Sequence, residues 1–327
     1  MLHFISYLKL IAAALITNSH FSEIWPVSSL ATGGLLGNVI FLAVSGFLLY
    51  NIKLNFPKWF LKRFLRVYPV MFLFTLVVSL CGVYSLKSFE DAFKMFVYPT
   101  HYIFIVWLIL CYCLFYVIAY VDKHVRNFLE ISMGVIFVAW MLVFAIFYDK
   151  TAYSVDNVYE PFILFLYMES MLLGALIKKH SHKFGQFKIY KPFVTVAGAG
   201  LYFVSKILVS KINAFLPIQV ISQMAILIAL FLIFDLLMSL ENKFQKLPIL
   251  GGVAKHISNI TLQIYIVQFV VIAYLKKLVF PLNLVIVVIC IIAGASALYY
   301  AECFIRKGIN YLIAKARKGK TNAKGTN

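Results

Sequence analysis

The chain has 327 residues, 63% of them apolar, and its mean hydropathy is +0.92. A soluble protein of this composition would expose too much apolar surface to water, so the composition excludes a soluble globular domain. The formal net charge of +18 would suit a nucleic-acid-binding protein only if the charge were gathered on one exposed face.

Apolar runs near the length that crosses a bilayer recur from one end of the chain to the other. Run lengths and chain breakers predict an all-α polytopic membrane protein with about ten transmembrane helices. The predicted spans cover residues 5–24, 34–50, 67–85, 101–120, 131–148, 161–177, 193–209, 218–240, 257–275 and 279–303.

The basic residues fall mostly in the loops on one side of these spans. The most basic stretches are KKHSHKFGQFKIYK at 178–191 and RKGINYLIAKARKGK at 306–320. The positive-inside rule therefore places both termini in the cytoplasm. Because topology explains the charge, no nucleic-acid partner is predicted. The sequence has no linker rich in Pro, Ser or Gly, so residues 1–304 are predicted to form one membrane domain and residues 305–327 a basic cytoplasmic tail.

The first span contains KLIAAALITNSH, which opens on Lys9 and closes on His20. The two residues are about three helical turns apart, so they share one helix face at a separation of roughly 16 Å. Polar groups in a span usually face the protein interior or a wet cavity, and histidine is a common acid–base group. A second interpretation involves no catalysis. In it, the Lys9 side chain extends to the membrane–water interface and His20 simply lies at that interface.

The second span contains Ser45 followed by Gly46, and a basic segment with Arg63 and Arg66 comes next. Two arginines three residues apart lie on one helix face and would suit a phosphate-bearing ligand at the membrane surface. On spacing alone, positive-inside charge is the better explanation of the arginines. Close helix packing through small residues is the better explanation of Ser45 and Gly46.

Later spans contain three carboxylates, Glu169, Asp235 and Glu302. A buried carboxylate must be paired or protonated, so each is a candidate functional group, although Glu302 could instead pair with Arg306 four residues on. The ninth span is rich in hydrogen-bonding side chains, which form either the wall of a polar cavity or contacts between helices. These include Ser258, Thr261 and Tyr265. No phosphate-binding loop and no metal-ligand spacing is present in the sequence, so no metal is predicted.

In chain order these features resemble the bacterial integral-membrane acyltransferase 3 family. The family pattern of a basic residue, ten residues and a histidine corresponds to Lys9 and His20. Lys9 stands where the family usually has arginine, and Gln268 stands where it has histidine, so Gln268 receives no acid–base role. The other matching segments are FLAVSGFLL at 41–49, RFLRVYP at 63–69, MLLGALI at 171–177, ISNITLQIYIVQ at 257–268, and Glu302 before the basic tail.

The resemblance implies an O-acyltransferase of the bacterial cytoplasmic (inner) membrane. The donor would be cytosolic acetyl-CoA or another acyl-CoA, and the acceptor a hydroxyl of an envelope, capsular or exopolysaccharide glycan or of a lipid-linked sugar. By the same resemblance His20 is the general base or a transient acyl carrier, and Arg63 and Arg66 hold the donor. Lys9 would neutralise charge on the donor path or stabilise an oxyanion, and Ser45 would orient the thioester or permit packing.

Two other classes of protein remain open. A transporter or exporter of a glycan or small organic acid would use Lys9, Glu169 and Asp235 to couple protons or bind its substrate. A non-catalytic polysaccharide-assembly factor would need none of this chemistry. The sequence has no internal repeat, and its one candidate for a broken helix is AGAG at 197–200.

Overall fold

The computed structural model describes residues 2–83, 87–97, 99 and 102–324, with side chains described as far as residue 307. Within these ranges the regular secondary structure is helical and no strand occurs. The α-helices in chain order are α1 (His3–Ser19), α2 (Gly34–Leu49), α3 (Phe56–Leu80), α4 (Phe89–Ala92), α5 (Ile103–Val121), α6 (Phe128–Phe147), α7 (Ile163–Lys179), α8 (Lys191–Lys211), α9 (Val220–Ser239), α10 (Glu241–Phe244), α11 (Pro248–Leu275) and α12 (Leu282–Lys324).

Among the residues that the structure describes, eight helical segments are long and apolar enough to cross a membrane, and they lie in α2, α3, α5, α6, α8, α9, α11 and α12. Helices α1 and α7 have 17 residues each and coincide with the first and sixth predicted spans. Many of their residues are buried against other helices, so much of their surface faces protein rather than lipid. The predicted class, an all-α polytopic membrane protein, is confirmed. The count of ten spans and the cytoplasmic termini stay predictions.

Helix α1 ends at Ser19, earlier than the sequence predicts, because its last turn makes hydrogen bonds with the following loop. The Asn18 amide nitrogen donates to the carbonyls of Leu30, at 2.8 Å, and Thr32, at 3.0 Å. The Trp25 indole donates to the Asn18 side-chain oxygen at 2.9 Å. Side chains of this type compete with the helical backbone pattern and favour helix ends. The loop after α1 is thereby held against the end of the helix.

Three helices continue where the sequence predicts a boundary or a break. Helix α3 begins at Phe56 and continues through Pro69, so the basic segment after the second span is helical. Helix α8 is continuous through AGAG at 197–200, so the candidate break is not formed. Helix α12 runs on through Lys324, across the predicted boundary between membrane domain and tail.

Two glycines bring the backbones of α2 and α7 into direct contact. A Cβ atom added to Gly46 would overlap the carbonyl oxygen of Met171, and one added to Gly174 would overlap the carbonyl oxygen of Ala43. The glycine on each helix therefore leaves room for the backbone of the opposite helix, which is a common way for membrane helices to approach closely. Helix α1 packs on α2 and α11, and α12 packs on α11, so the central bundle is built around α1, α2, α7 and α11.

A buried carboxylate, Asp122, joins four helices at one end of the bundle. It accepts hydrogen bonds from the Tyr50 hydroxyl at 2.6 Å, the Leu129 backbone N–H at 2.8 Å and the Lys179 ammonium at 2.9 Å. Lys179 also pairs with Glu130 at 2.8 Å. Burial opposes ionisation of Asp122, but these hydrogen bonds and the charge of Lys179 outweigh it and lower the pKa of Asp122. The ends of α2, α5, α6 and α7 are fixed by this cluster.

A second carboxylate, Glu241, caps the start of α1 from a position late in the chain. Its two oxygens accept the backbone N–H groups of His3 at 2.9 Å and Phe4 at 2.7 Å. Burial disfavours its charge, but these hydrogen bonds and one with the His3 side chain outweigh that effect and lower the pKa of Glu241. Free N–H groups and the helix dipole both favour a carboxylate at this position.

Candidate functional site

A cavity of about 1070 Å³ lies between α1, α2, α3, α5, α11 and α12. On α3 its wall runs from Lys62 to Leu73, and on α11 it runs from Ser258 to Gln268. At the helical rise per residue, both walls are roughly 15 Å deep. The lining is mostly apolar, with polar groups concentrated in a few places, as is usual for ligand sites.

One end of the cavity is strongly basic. We call it the basic end, and it consists of Lys9, Lys62, Arg63, Arg66 and Arg306. Among the described residues that line the cavity, the acidic one is Glu302. It pairs with Arg306 four residues on and accepts a hydrogen bond from Gln263 at 2.9 Å. The other four cations form no ion pair with any described carboxylate. The basic end therefore has positive charge available for an anionic ligand.

The two predicted arginines both line this end, on the first turns of α3. Arg63 lies over the ring of Trp59, with its guanidinium carbon 5.8 Å from the ring centroid. Trp59 is itself buried and packs on Tyr112 and Tyr116. The Nε of Arg63 is buried and has no hydrogen-bond partner among the described residues. An arginine held in this way presents a fixed fork of donors to the cavity.

Ser45 also lines the cavity, and its neighbour explains its direction. Gly46 faces α7 in the close helix contact, so the preceding residue is turned away from α7, towards the cavity. The Ser45 side chain lies close to that of Tyr112 of α5, which also lines the cavity. Close helix packing therefore explains Gly46, as the sequence suggested, but not Ser45, which contributes to the cavity wall.

Helix α11 provides the polar wall that the sequence predicts. Ser258, Thr261, Tyr265 and Gln268 follow helical spacing along one face, and all four line the cavity. The Thr261 hydroxyl donates to the Ile257 carbonyl of its own helix at 3.0 Å. The Ser258 hydroxyl and the Gln268 amide nitrogen are buried and have no hydrogen-bond partner among the described residues. These two groups are available to a ligand.

His20 lies just beyond the far end of the cavity and does not line it. It follows Thr17, which does line the cavity, by about one helical turn on the same face of α1. The imidazole packs edge-on against Phe269, with ring centroids 4.7 Å apart. Among the described residues it makes no hydrogen bond. Lys9 and His20 thus share a face as expected, with Lys9 in the basic end and His20 past the opposite end.

Two predicted candidates lie outside the cavity. Glu169 is buried in α7, and one of its oxygens has no partner among the described residues. Asp235 pairs with Lys191 at 2.5 Å and accepts the backbone N–H of Gly185 at 3.1 Å. Its contacts hold the start of α8 and the preceding loop to α9. The structure therefore does not bring these two carboxylates together with the other candidates.

Several cavity residues were not singled out by the sequence. Thr17 falls on the face shared by Lys9 and His20, so helical spacing alone could have identified it. Tyr112 lies on a span rich in similar residues, and only the packing of helices from distant parts of the chain selects it. No group of three or more His, Cys, Asp or Glu side chains that could hold a metal occurs in the part of the chain that the structure describes.

The fold and the cavity define a multi-pass membrane protein with a polar cavity inside its helical bundle. The family model for acyltransferase 3, described as an acyltransferase domain, matches residues 2–301, which is most of the chain. The chain therefore belongs to the acyltransferase 3 family, and the predicted family and the general activity, membrane acyl transfer, are confirmed. Neither a curated protein nor a solved structure matches it.

Proposed function

We propose that this membrane acyltransferase transfers an acyl group, acetyl in the first instance, from acyl-CoA to a hydroxyl of an envelope, capsular or exopolysaccharide glycan. The observation that supports this donor is the basic end of the cavity, where Lys9, Lys62, Arg63 and Arg66 have no carboxylate partner among the described residues. A CoA thioester carries several phosphate charges, and arginine forks bind phosphate well.

The donor would enter from the basic end with its acyl group pointing along the cavity. The positive-inside rule puts this end at the cytosol, where acyl-CoA is found, since α1, α3 and α11 all begin there. The apolar middle of the cavity suits the pantetheine arm. We propose the bacterial cytoplasmic membrane as the location and a glycan or lipid-linked sugar on the outer side as the acceptor.

His20 would act where the acceptor meets the acyl group. A sugar hydroxyl must lose its proton as it attacks a thioester, and imidazole is well suited to accept that proton near neutral pH. The new C–O bond forms, the C–S bond breaks, and the proton passes from His20 to the departing CoA thiolate. The position of His20 past the end of the cavity, about one turn from Thr17, supports a role of the imidazole on the acceptor side of a bound acyl group.

The test measures transfer of radiolabelled acetyl from acetyl-CoA to glycan in membranes that contain the protein. The wild type is expected to consume the donor and label the glycan, whereas a transporter or an assembly factor would do neither. His20→Ala is expected to lower transfer at least about a hundredfold, the range of general acid–base catalysis, without loss of membrane insertion.

The matched control is His124→Ala, because His124 is an exposed histidine in the loop after α5 and does not line the cavity. Its transfer rate is expected to equal that of the wild type. Transfer by His20→Ala at the wild-type rate would remove His20 from the mechanism. Absence of donor consumption by the wild type, with each acyl-CoA and glycan supplied, would contradict the proposed function itself.

A further inference from the structure

The side chain of Gln268 lies in the wall of the cavity, and its amide nitrogen makes no hydrogen bond with a described residue. Gln268 is fully buried on α11, and its side-chain oxygen accepts the Thr17 hydroxyl at 2.8 Å. Its amide nitrogen has no partner among the described residues. Buried N–H groups are nearly always hydrogen-bonded, so a donor without a protein partner in a cavity wall can bind a ligand atom.

Two successive contacts between α11 and α1 place Gln268 at the depth of Thr17, about one helical turn before His20. Gln268 receives the Thr17 hydroxyl, and the next residue, Phe269, packs on the His20 ring. Thr17 precedes His20 by about one turn of α1. The free amide therefore lies beside the point at which His20 would meet the acyl group, whereas Lys9 is about 12 Å back along α1, at the basic end.

Acyl transfer from a thioester creates negative charge on the carbonyl oxygen. When the acceptor hydroxyl attacks, the oxygen–carbon bond forms, the electron pair of the C=O double bond moves to oxygen, and the hydroxyl proton goes to the base. Collapse of this intermediate breaks the C–S bond. A positioned N–H donor stabilises the oxygen at its most negative point and itself gives up no proton. A neutral amide can do this at any pH at which the protein is folded.

We propose that the Gln268 amide donates a hydrogen bond to this developing oxyanion and that Thr17 positions it. The oxygen of the amide is occupied by Thr17, which leaves the N–H group as the part directed to the substrate. This inference rests on the proposed acyl transfer. It also gives Gln268 a role that involves no proton transfer.

The first test replaces the amide by groups that lack the donor. Gln268→Met and Gln268→Leu each remove both hydrogen-bonding atoms of the side chain. Both variants are expected to lower kcat by about a hundredfold or more, the usual effect of losing one oxyanion donor. The KM for acetyl-CoA is expected to stay the same, because the interaction forms in the transition state.

The second test concerns Thr17. Thr17→Val removes the hydroxyl that holds the amide and is expected to lower kcat about tenfold, less than loss of the donor itself. Thr17→Ser keeps the hydroxyl and is expected to restore the wild-type kcat. If Thr17→Ser is as slow as Thr17→Val, the side chain acts by packing and the positioning role is wrong.

The control for losing a buried amide is Gln223→Met. Gln223 lies on α9 outside the cavity, and its amide donates to the Val155 carbonyl at 2.8 Å. Folded Gln223→Met is expected to keep the wild-type kcat. Equal amounts of each variant, selected by gel filtration in detergent, keep differences in folding out of the comparison.

The outcomes separate the two claims. No transfer by the wild type would contradict the proposed function. Transfer by the wild type together with wild-type kcat in Gln268→Met or Gln268→Leu would contradict only the role of Gln268. A rise in KM for acetyl-CoA with unchanged kcat would also overturn it, because Gln268 would then bind the donor in its ground state.

Discussion

From the sequence alone, Arg63 could be explained as one of the basic residues on the cytoplasmic side of the membrane. The structure gives it specific contacts at the cavity. Its guanidinium lies over Trp59, which is itself buried against two tyrosines, and its face of α3 lines the cavity. Arg66 follows by three residues on the same helix. The charge alone would be served by lysine, whereas the planar fork and the stacking contact need arginine.

The variant Arg63→Lys tests this difference. Lysine keeps the positive charge and the topology but loses the forked donors and the contact with Trp59. We expect the KM for acyl-CoA to rise about tenfold, which corresponds to one lost charge-assisted hydrogen bond, with a smaller change in kcat. Steady-state kinetics in detergent or nanodiscs measure both constants.

The matched control is Arg126→Lys, since Arg126 is exposed in the loop between α5 and α6. Its kinetic constants are expected to stay at wild-type values. A wild-type KM in Arg63→Lys would mean that the residue contributes only charge.

At the scale of the helices, the close contact between α2 and α7 fixes the direction of the cavity wall. Gly46 faces the backbone of α7, and Gly174 faces the backbone of α2. This orientation turns Ser45 towards the cavity. Both glycines belong to segments that the sequence singles out, one for a small-residue pair and one for a glycine motif. The sequence could not show that the helices of these two glycines contact each other, because the glycines are separated by more than a hundred residues.

Substitution of either glycine is expected to destabilise the protein. Gly46→Ala and Gly174→Ala each place a methyl group where a backbone carbonyl lies, and such overpacking costs about 1–3 kcal/mol or more. Thermal unfolding in detergent should show a lower midpoint for both variants. Gly134→Ala in α6 is the control, because a Cβ there meets open space and alanine favours the helix.

An unfolding midpoint for Gly46→Ala at or above that of Gly134→Ala would show that α2 and α7 are not held as closely as described. The double variant Gly46→Ala/Gly174→Ala should be less destabilised than the sum of the single variants, because the first substitution already separates the two helices.

Over the whole molecule, two carboxylates with lowered pKa values connect helix ends that are distant in sequence. Asp122 joins α2, α5, α6 and α7, and Glu241 caps α1. A carboxyl whose folded pKa lies below its unfolded value stabilises the fold fully above the unfolded pKa. That stabilisation disappears as pH falls through the folded pKa.

Acid should therefore destabilise the wild type more than Asp122→Asn. At neutral pH we expect Asp122→Asn to be less stable by about 2 kcal/mol, since it loses a charged partner for Lys179 and Tyr50. As the pH falls below about 4, the unfolded pKa of aspartate, the difference should shrink. Unfolding midpoints measured from about pH 7 to pH 3 test this.

Glu90→Gln is the control. Glu90, in α4, forms an exposed ion pair with Lys94, and exposed ion pairs contribute little to stability. Its midpoint should follow that of the wild type at every pH. A constant difference between the wild type and Asp122→Asn across this range would show that Asp122 contributes by shape rather than by charge.

The sequence predicts the helical class, most helix positions and the family because these depend on local hydrophobicity and short motifs. It also places Lys9 and His20 on one face, since helical geometry alone decides that. It could not show that Asp235 pairs with Lys191, that His20 lies past the end of the cavity, or that Gln268 receives the Thr17 hydroxyl. Each of these depends on contacts between helices far apart in the chain, which no local pattern records.

The contact between Thr17 and Gln268, and the cap of Glu241 on α1, have a consequence for biosynthesis. The ribosome makes α1 well before α10 and α11, since its capping carboxylate and its partner in the cavity wall follow some 240 residues later. Until α11 is inserted, the polar face of α1 has no α11 to cover it and its first N–H groups lack their cap. The nascent protein therefore keeps α1 in the membrane while the intervening helices are made, and the cavity closes only once α11 is inserted.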